Sequence, residues 1–161
     1  MMAVPASDEA AKWSNLAPGA QVSVSSSRDP QSNDGVIDRR VQRGEIYRYW
    51  TSAADKVAGQ WVQLAFPVQV RRATVRLYNP RSGDKANVSV QVRRATVRLL
   101  DANGAELASK QVGALDVAGT DVAFGDIAGV RSVRVEIDEV SGTFYGLKVA
   151  SIAEIEVIAR G

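Results

Sequence analysis

The 161-residue sequence contains no cysteine and no histidine. Without cysteine there is no disulfide, no thiolate nucleophile and no cysteine-ligated zinc. Without histidine the Ser-His-Asp triad and the His-rich copper and non-haem iron sites are excluded as well. No remaining side chain has an ordinary pKa near 7. General acid–base chemistry would therefore fall to a carboxylate, lysine or tyrosine with a displaced pKa. Long apolar runs are missing too: no stretch approaches the roughly 20 residues that a membrane-spanning helix needs. The start, Met1 to Asp8, lacks the apolar core of a secretory signal; Ala3–Ala6 fits the remnant of a small-residue cleavage site or a native start. What survives is carboxylate chemistry, an oxygen-ligated metal such as calcium, or binding without chemistry.

Charge of one sign is also scarce. The net charge is +2, and fifteen arginines and five lysines are interleaved with carboxylates along the chain. This reads as a mixed solvated surface. A nucleic-acid partner would call for a basic stripe with aromatics, and none is seen. Apolar residues make up 45% and charged residues 24%, the mix of an ordinary globular domain. A chain this long fits one domain that buries roughly 70% of its unfolded surface.

Residues 1–12 are small and polar and read as a flexible tail, leaving 13–161 as the single domain. From there period-2 alternation marks strands at Gln21–Ser25, Trp61–Phe66, Ala73–Tyr78, Val88–Leu100, Glu106–Gln111, Asp121–Ile127, Ser132–Val140 and Leu147–Ile158. Turn chemistry separates them at Asn33-Asp34-Gly35, Asn79 to Asp84 and Asp101-Ala102-Asn103-Gly104, the last between two strand-like runs as in a hairpin. No long helical period follows residue 13. The expectation is an all-β fold, an antiparallel β-sandwich or jelly roll of about eight strands.

The decapeptide VQVRRATVRL occurs twice, at 68–77 and at 90–99. Two copies do not build a solenoid. In each, the apolar phase slips between the second Val and the Ala, across a pair of arginines. A loop or bulge is expected there. Local gene duplication, recombination or a designed origin accounts for the repeat more simply than a duplicated binding site does.

Four groups carry candidate chemistry. Asn79, Pro80, Arg81 and Asn87 lie in or beside one loop, where a guanidinium fork and an amide suit vicinal hydroxyls; a plain polar turn is the alternative. The run Glu45 to Thr51 gathers Tyr47, Arg48, Tyr49 and Trp50. Trp50 reads as a core plug, while either tyrosine could present an apolar face to a sugar. Phe144 and Tyr145 are adjacent, so on extended chain they face opposite ways and one stays near solvent. Asp38 and Glu154 would suit calcium, although Arg39 and Arg40 offer Asp38 a plain ion pair instead. Asn87-Val88-Ser89 is also a glycosylation acceptor sequence. No phosphate-binding glycine loop and no marked carboxylate pair for glycoside cleavage is seen.

In order, Asn15-Leu16-Ala17-Pro18-Gly19, Val22–Ser27, Asp38, Trp50-Thr51-Ser52, Gln60-Trp61-Val62-Gln63-Leu64, Arg131–Ile137 and Ala153-Glu154-Ile155-Glu156-Val157 resemble the motifs of a discoidin domain, also called the coagulation factor 5/8 type C domain. The resemblance covers residues 13 to 158. It implies a galactose-binding-like jelly roll with ligand loops at one end. Cys-free members look like family 32 carbohydrate-binding modules, non-catalytic units appended to secreted glycan-processing enzymes. That likeness implies carbohydrate as partner, an attached catalytic domain in a longer parent, and an extracellular or cell-surface location. The family's Pro-Arg and Asn contacts would fall on Pro80-Arg81 and Asn87, its stacking aromatic on Phe144 or Tyr145, and its structural calcium on Asp38 and Glu154. The histidine that often joins the sugar contacts is absent here. Animal discoidin domains imply an alternative, adhesion to a protein or anionic phospholipid surface.

Overall fold

The computed structural model describes residues 14–28, 30–37, 50–80 and 89–160. The expected tail, Trp13, Asp38, Tyr47, Arg48, Tyr49, Arg81 and Asn87 lie outside the described residues.

The strands are β1 (Ser14–Asn15), β2 (Gln21–Val24), β3 (Trp50–Thr51), β4 (Gln60–Tyr78), β5 (Gln91–Leu100), β6 (Glu106–Val112), β7 (Thr120–Ala123), β8 (Val130–Ser141), β9 (Ser151–Ile152) and β10 (Glu154–Arg160). Short 3-10 helices cover Ala17–Gly19 and Pro30–Ile37. Every pairing between these strands is antiparallel. The result is the expected galactose-binding-like β-sandwich.

The two stretches Trp61–Phe66 and Ala73–Tyr78 are one strand, β4, and not two. Its first part pairs with β2 and β8, in a layer completed by β5 and β6. Its second part pairs with β10 and β7, in a layer completed by β1. Strands that change sheet do so at bends and bulges, and the sequence between the two parts supplies them. Pro67 has no N–H to give a ladder. Between Ala65 and Val70 the register against β8 shifts. From Arg71 to Thr74 β4 advances past only the Ile158-to-Arg160 step of β10, so β4 carries an extra residue. Arg72 sits there at φ 53°, in the left-handed region.

The slip in the repeat is thereby explained. Val70 and Ala73 are both buried although three positions apart, and Arg71 and Arg72 between them are exposed. Strict alternation would bury one arginine; the bulge turns both outward. The second copy behaves alike: Val92 and Ala95 are buried, Arg93 and Arg94 exposed, and the β5–β8 register shifts on either side of Arg94. The bulge was legible in the sequence, but the continuity of β4 through it was not.

The predicted hairpin joins β5 to β6. The Asp101 carboxylate accepts the N–H groups of Asn103 (2.8 Å) and Ala105 (2.9 Å), and Gly104 takes φ 84° to close the turn. Other strands are trimmed at the ends: β5 begins at Gln91, β7 ends at Ala123, and the final segment divides into β9 and β10 around Ala153.

The core lies between the layers. Val62, Leu64, Val97, Val133, Val135 and Ile137 from one layer meet Val75, Leu77, Val122, Ile155 and Val157 from the other. Each such side chain contributes about 1.5–3 kcal/mol by leaving water. Trp50 is the wholly buried plug expected, its Nε1 donating to the Ser26 carbonyl at 2.8 Å. Outward-facing side chains form charged grids, with Arg98 between Glu136 and Glu106 and Arg76 against Asp121. The Arg76 guanidinium holds the Asp121 carboxyl below the ordinary carboxylate range.

A left-handed arginine costs about 1–2 kcal/mol, which glycine does not pay. Arg72→Gly should therefore leave stability unchanged or raise it by up to about 1 kcal/mol, and Arg72→Val should lower it by at least about 1 kcal/mol. Urea denaturation measures both; a valine variant as stable as the glycine variant would overturn the bulge as the point of strain.

Candidate functional site

The segments at the end of the sandwich reached by Tyr78, Ser141 and the start of β5 are tied together by buried polar groups. Asn79 is one of them. Its side chain is buried, accepts the Val92 N–H at 2.8 Å and donates to the Leu115 carbonyl at 2.8 Å. It clamps the two flanks of segment 81–88, and its burial keeps it from the surface. The sequence had grouped it with candidate ligand contacts; it is a buried structural bolt. Gln91 strengthens the clamp by donating to the Pro80 carbonyl at 2.8 Å.

Segment 141–147 packs against the same flank. Ser89 donates its N–H to the Thr143 carbonyl at 2.8 Å, and Thr143 returns its N–H to the Ser89 hydroxyl at 3.1 Å. Gly142, at φ 74°, makes this approach feasible: a Cβ there would lie 2.1 Å from the Ser89 carbonyl oxygen.

The Phe144–Leu147 turn follows. Phe144 and Leu147 exchange both backbone hydrogen bonds, at 2.9 and 3.0 Å. The two residues between them, Tyr145 and Gly146, have φ of 51° and 79°. This is the geometry of a type I′ turn, which asks for left-handed backbone at both central positions. Glycine takes it freely; tyrosine does so at a cost. The strain holds Tyr145 at the tip of the turn with 38% of its surface exposed.

Phe144 turns the other way and is 2% exposed, packed with Val90 and Val149. As a stacking platform it is therefore a correction: a buried ring offers no face to a sugar. It is instead a pedestal. The Tyr145 ring meets it edge-on, centroids 4.9 Å apart at 73°. On the ring lies the Arg28 guanidinium, 4.8 Å from the centroid. Arg28 is exposed, and its own N–H donates to the Thr51 carbonyl at 2.8 Å, which fixes its backbone beside β3. Sequence reading missed Arg28. One arginine among fifteen after a short strand carries no local pattern, and its partner is far along the chain.

Beside β3, the Ser52 hydroxyl accepts the Ala150 N–H at 2.8 Å and the Ser151 hydroxyl donates to the Trp50 carbonyl at 2.8 Å. Glu154 opens β10 and is wholly buried. Among the described residues no three acidic side chains group as metal ligands. Arg28, Phe144, Tyr145, Ser89 and Thr143 thus form the described part of the candidate site.

The close approach at Gly142 generates a test. Gly142→Ala should force the Ser89 and Thr143 segments apart and lower stability by about 2 kcal/mol or more, since the added Cβ meets backbone in a left-handed position. Thermal and urea unfolding measure it; a neutral alanine would overturn the packed contact.

A comparison with curated proteins by sequence finds no match. Solved structures do match in fold. A Streptococcus pneumoniae fucose-binding module is similar at 22% identity, over 91% of this chain and 95% of that one, with a TM-score of 0.68. The family 32 carbohydrate-binding module of Clostridium perfringens NanJ, solved with galactose, is similar at 16% identity over 90% and 98%, with a TM-score of 0.64. A family 89 glycoside hydrolase from Clostridium perfringens is similar at 17% identity over 91% of this chain but 15% of that one, with a TM-score of 0.64. These likenesses establish the galactose-binding-like fold. A family model matches residues 15–158, and the chain belongs to that family, the domain of unknown function DUF7402.

Proposed function

We propose that the chain is a non-catalytic carbohydrate-binding module that recognises a glycan at the loop end of the sandwich. The observation that carries this reading is Tyr145, exposed on a strained two-residue turn and edge-to-face with Phe144, whose ring also carries the Arg28 guanidinium. An exposed aromatic face takes the apolar C–H face of a sugar ring, and a guanidinium supplies donors for its oxygens. Strain at one exposed residue is the kind of feature that binding sites retain. Arg81 and Asn87 belong to this reading as further polar contacts. So do Tyr47, Arg48 and Tyr49, whose segment leads directly into β3 and Thr51. The fold supports it: similar structures are named as a fucose-binding module and as a galactose complex of a family 32 module.

The reading includes attachment to a catalytic domain in a longer parent and an extracellular or cell-surface setting. The similar stretch within a glycoside hydrolase supports the first. No helix among the described residues is long and apolar enough to cross a membrane. Val68, Leu107 and Tyr145, the large hydrophobics exposed among the described residues, stand on three separate segments.

A structural calcium on Asp38 and Glu154 is part of the proposal. Glu154 supports it as an oxygen donor at the start of β10, wholly buried at that end of the strand. One carboxylate does not fill calcium's shell of six to eight oxygens, so backbone carbonyls would complete it. Dialysis against EDTA should lower the melting temperature by several degrees, with recovery on adding calcium. A melting curve indifferent to both would remove calcium from the reading.

The central test is titration calorimetry with a panel of neutral and acidic mono- and oligosaccharides. Tyr145→Ala should weaken binding about tenfold, the loss of one stacking aromatic, and Arg81→Ala or Asn87→Ala should weaken it comparably. Unchanged affinity in the Arg81→Ala, Tyr145→Ala double variant would overturn the site. Binding to no member of the panel would overturn the function.

A further inference from the structure

We infer that this site is built for an acidic sugar, a ring bearing a carboxylate or sulfate group, and that Arg28 is the residue that reads the charge. The inference rests on the carbohydrate-binding reading and names its ligand class.

The surface arginines supply the contrast. Arg71 and Arg72 face Asp126, Arg76 binds Asp121, Arg94 binds Glu139 and Arg98 binds Glu136 and Glu106. Arg93 donates to the Ser141 hydroxyl, Arg131 to the Phe66 carbonyl and Arg134 to the Gln63 side chain. Among the described arginine side chains Arg28 alone makes no hydrogen bond or ion pair with a described residue. Its contact is the face of the Phe144 ring. Stacking uses the flat side of a guanidinium and leaves the N–H donors along its edge. Those donors match the paired oxygens of a carboxylate or sulfate, and a charge-assisted bond is about twice as strong as a neutral one.

The surrounding segments reinforce the preference. Across 25–28, 50–57, 89–91 and 141–150 the charged residues are Arg28, Lys56, Lys148 and Asp55, all exposed. The balance is two positive charges in excess, on a protein whose other described arginines are largely matched by carboxylates. A neutral sugar gains nothing from that imbalance; an anionic one is drawn to it. Tyr145 and Arg28 both contact Phe144, which ties the exposed aromatic and the charge to one side chain.

The test uses the native chain with three probes: tetragalacturonic acid, a chondroitin sulfate tetrasaccharide and neutral galactotetraose. Calorimetry at 50 and 300 mM NaCl should show at least one acidic probe binding about tenfold or more tighter than the neutral one, with the preference shrinking at the higher salt. The tighter acidic probe tells carboxylate from sulfate. Arg28→Ala should bring acidic and neutral affinities within about threefold, and Arg28→Lys should retain part of the preference. Should Arg28→Ala unfold when Phe144 is uncovered, Arg28→Met keeps the ring covered and removes the charge. Equal affinity for acidic and neutral probes, or a preference that survives both neutral variants, would overturn the inference and leave the sugar-binding reading standing. Binding to neither class of probe, nor to the wider panel, would overturn both.

Discussion

One strand holds the molecule together. β4 runs through both layers, so the register of each sheet is set on the same stretch of backbone. A slip of one residue on either side of the bend would flip buried valines to solvent and arginines to the core. The bulge at Arg71–Ala73 prevents this by adding one residue where the chain changes layer. The cost is a left-handed arginine; the return is that Val62, Leu64, Val70, Ala73, Val75 and Leu77 all face one core. The orientation of β8, β5 and β10, and hence of the loops they carry, follows from that strand.

The loop end is held by polar groups instead. Buried amides and hydroxyls must be satisfied, and an unmade bond costs about 1–3 kcal/mol. Asn79 joins the end of β4 to the start of β5 and to Leu115. Ser52 and Ser151 lace β3 to β9, and Ser89 locks to Thr143 across Gly142. Each bond connects segments far apart in sequence. Together they place Arg28, Ser89 and Tyr145 on parts of the chain that alternation alone would leave unrelated. The site inherits its geometry from these few fixed points, of which Ser89 and Thr143 belong to the site and Asn79, Ser52 and Ser151 brace its flanks.

This division explains what could be read from the sequence. Alternation is local, so strands, the hairpin at Asp101–Gly104 and the slips at both arginine pairs were legible. The continuity of β4 was not, because alternation stops at Phe66 and resumes out of phase at Ala73, and only the tertiary change of layer joins the two runs into one bent strand. At the site, adjacency of Phe144 and Tyr145 implied that one ring stays near solvent. It could not say which, because that depends on Val90 and Val149 closing over Phe144. Asn79 looked like a surface contact because a polar residue beside a loop usually is one. Its burial is decided by Val92 and Leu115, both remote. Arg28 had no local signature at all, since a guanidinium on a distant phenyl ring leaves no periodicity.

The burial of Phe144 removes a sugar platform and creates something more selective. An exposed phenylalanine would give any ligand the same apolar face. A buried one carries Arg28 over its face and meets Tyr145 at a steep angle, and so ties a charge and an exposed ring to one side chain. Arginine suits this role where histidine would not: its charge persists at every physiological pH. The absence of histidine from the chain therefore does more than exclude catalysis by the common routes. On the proposed reading it leaves recognition at this end to permanent charge and aromatic surface, a combination whose charge does not change with pH near neutrality.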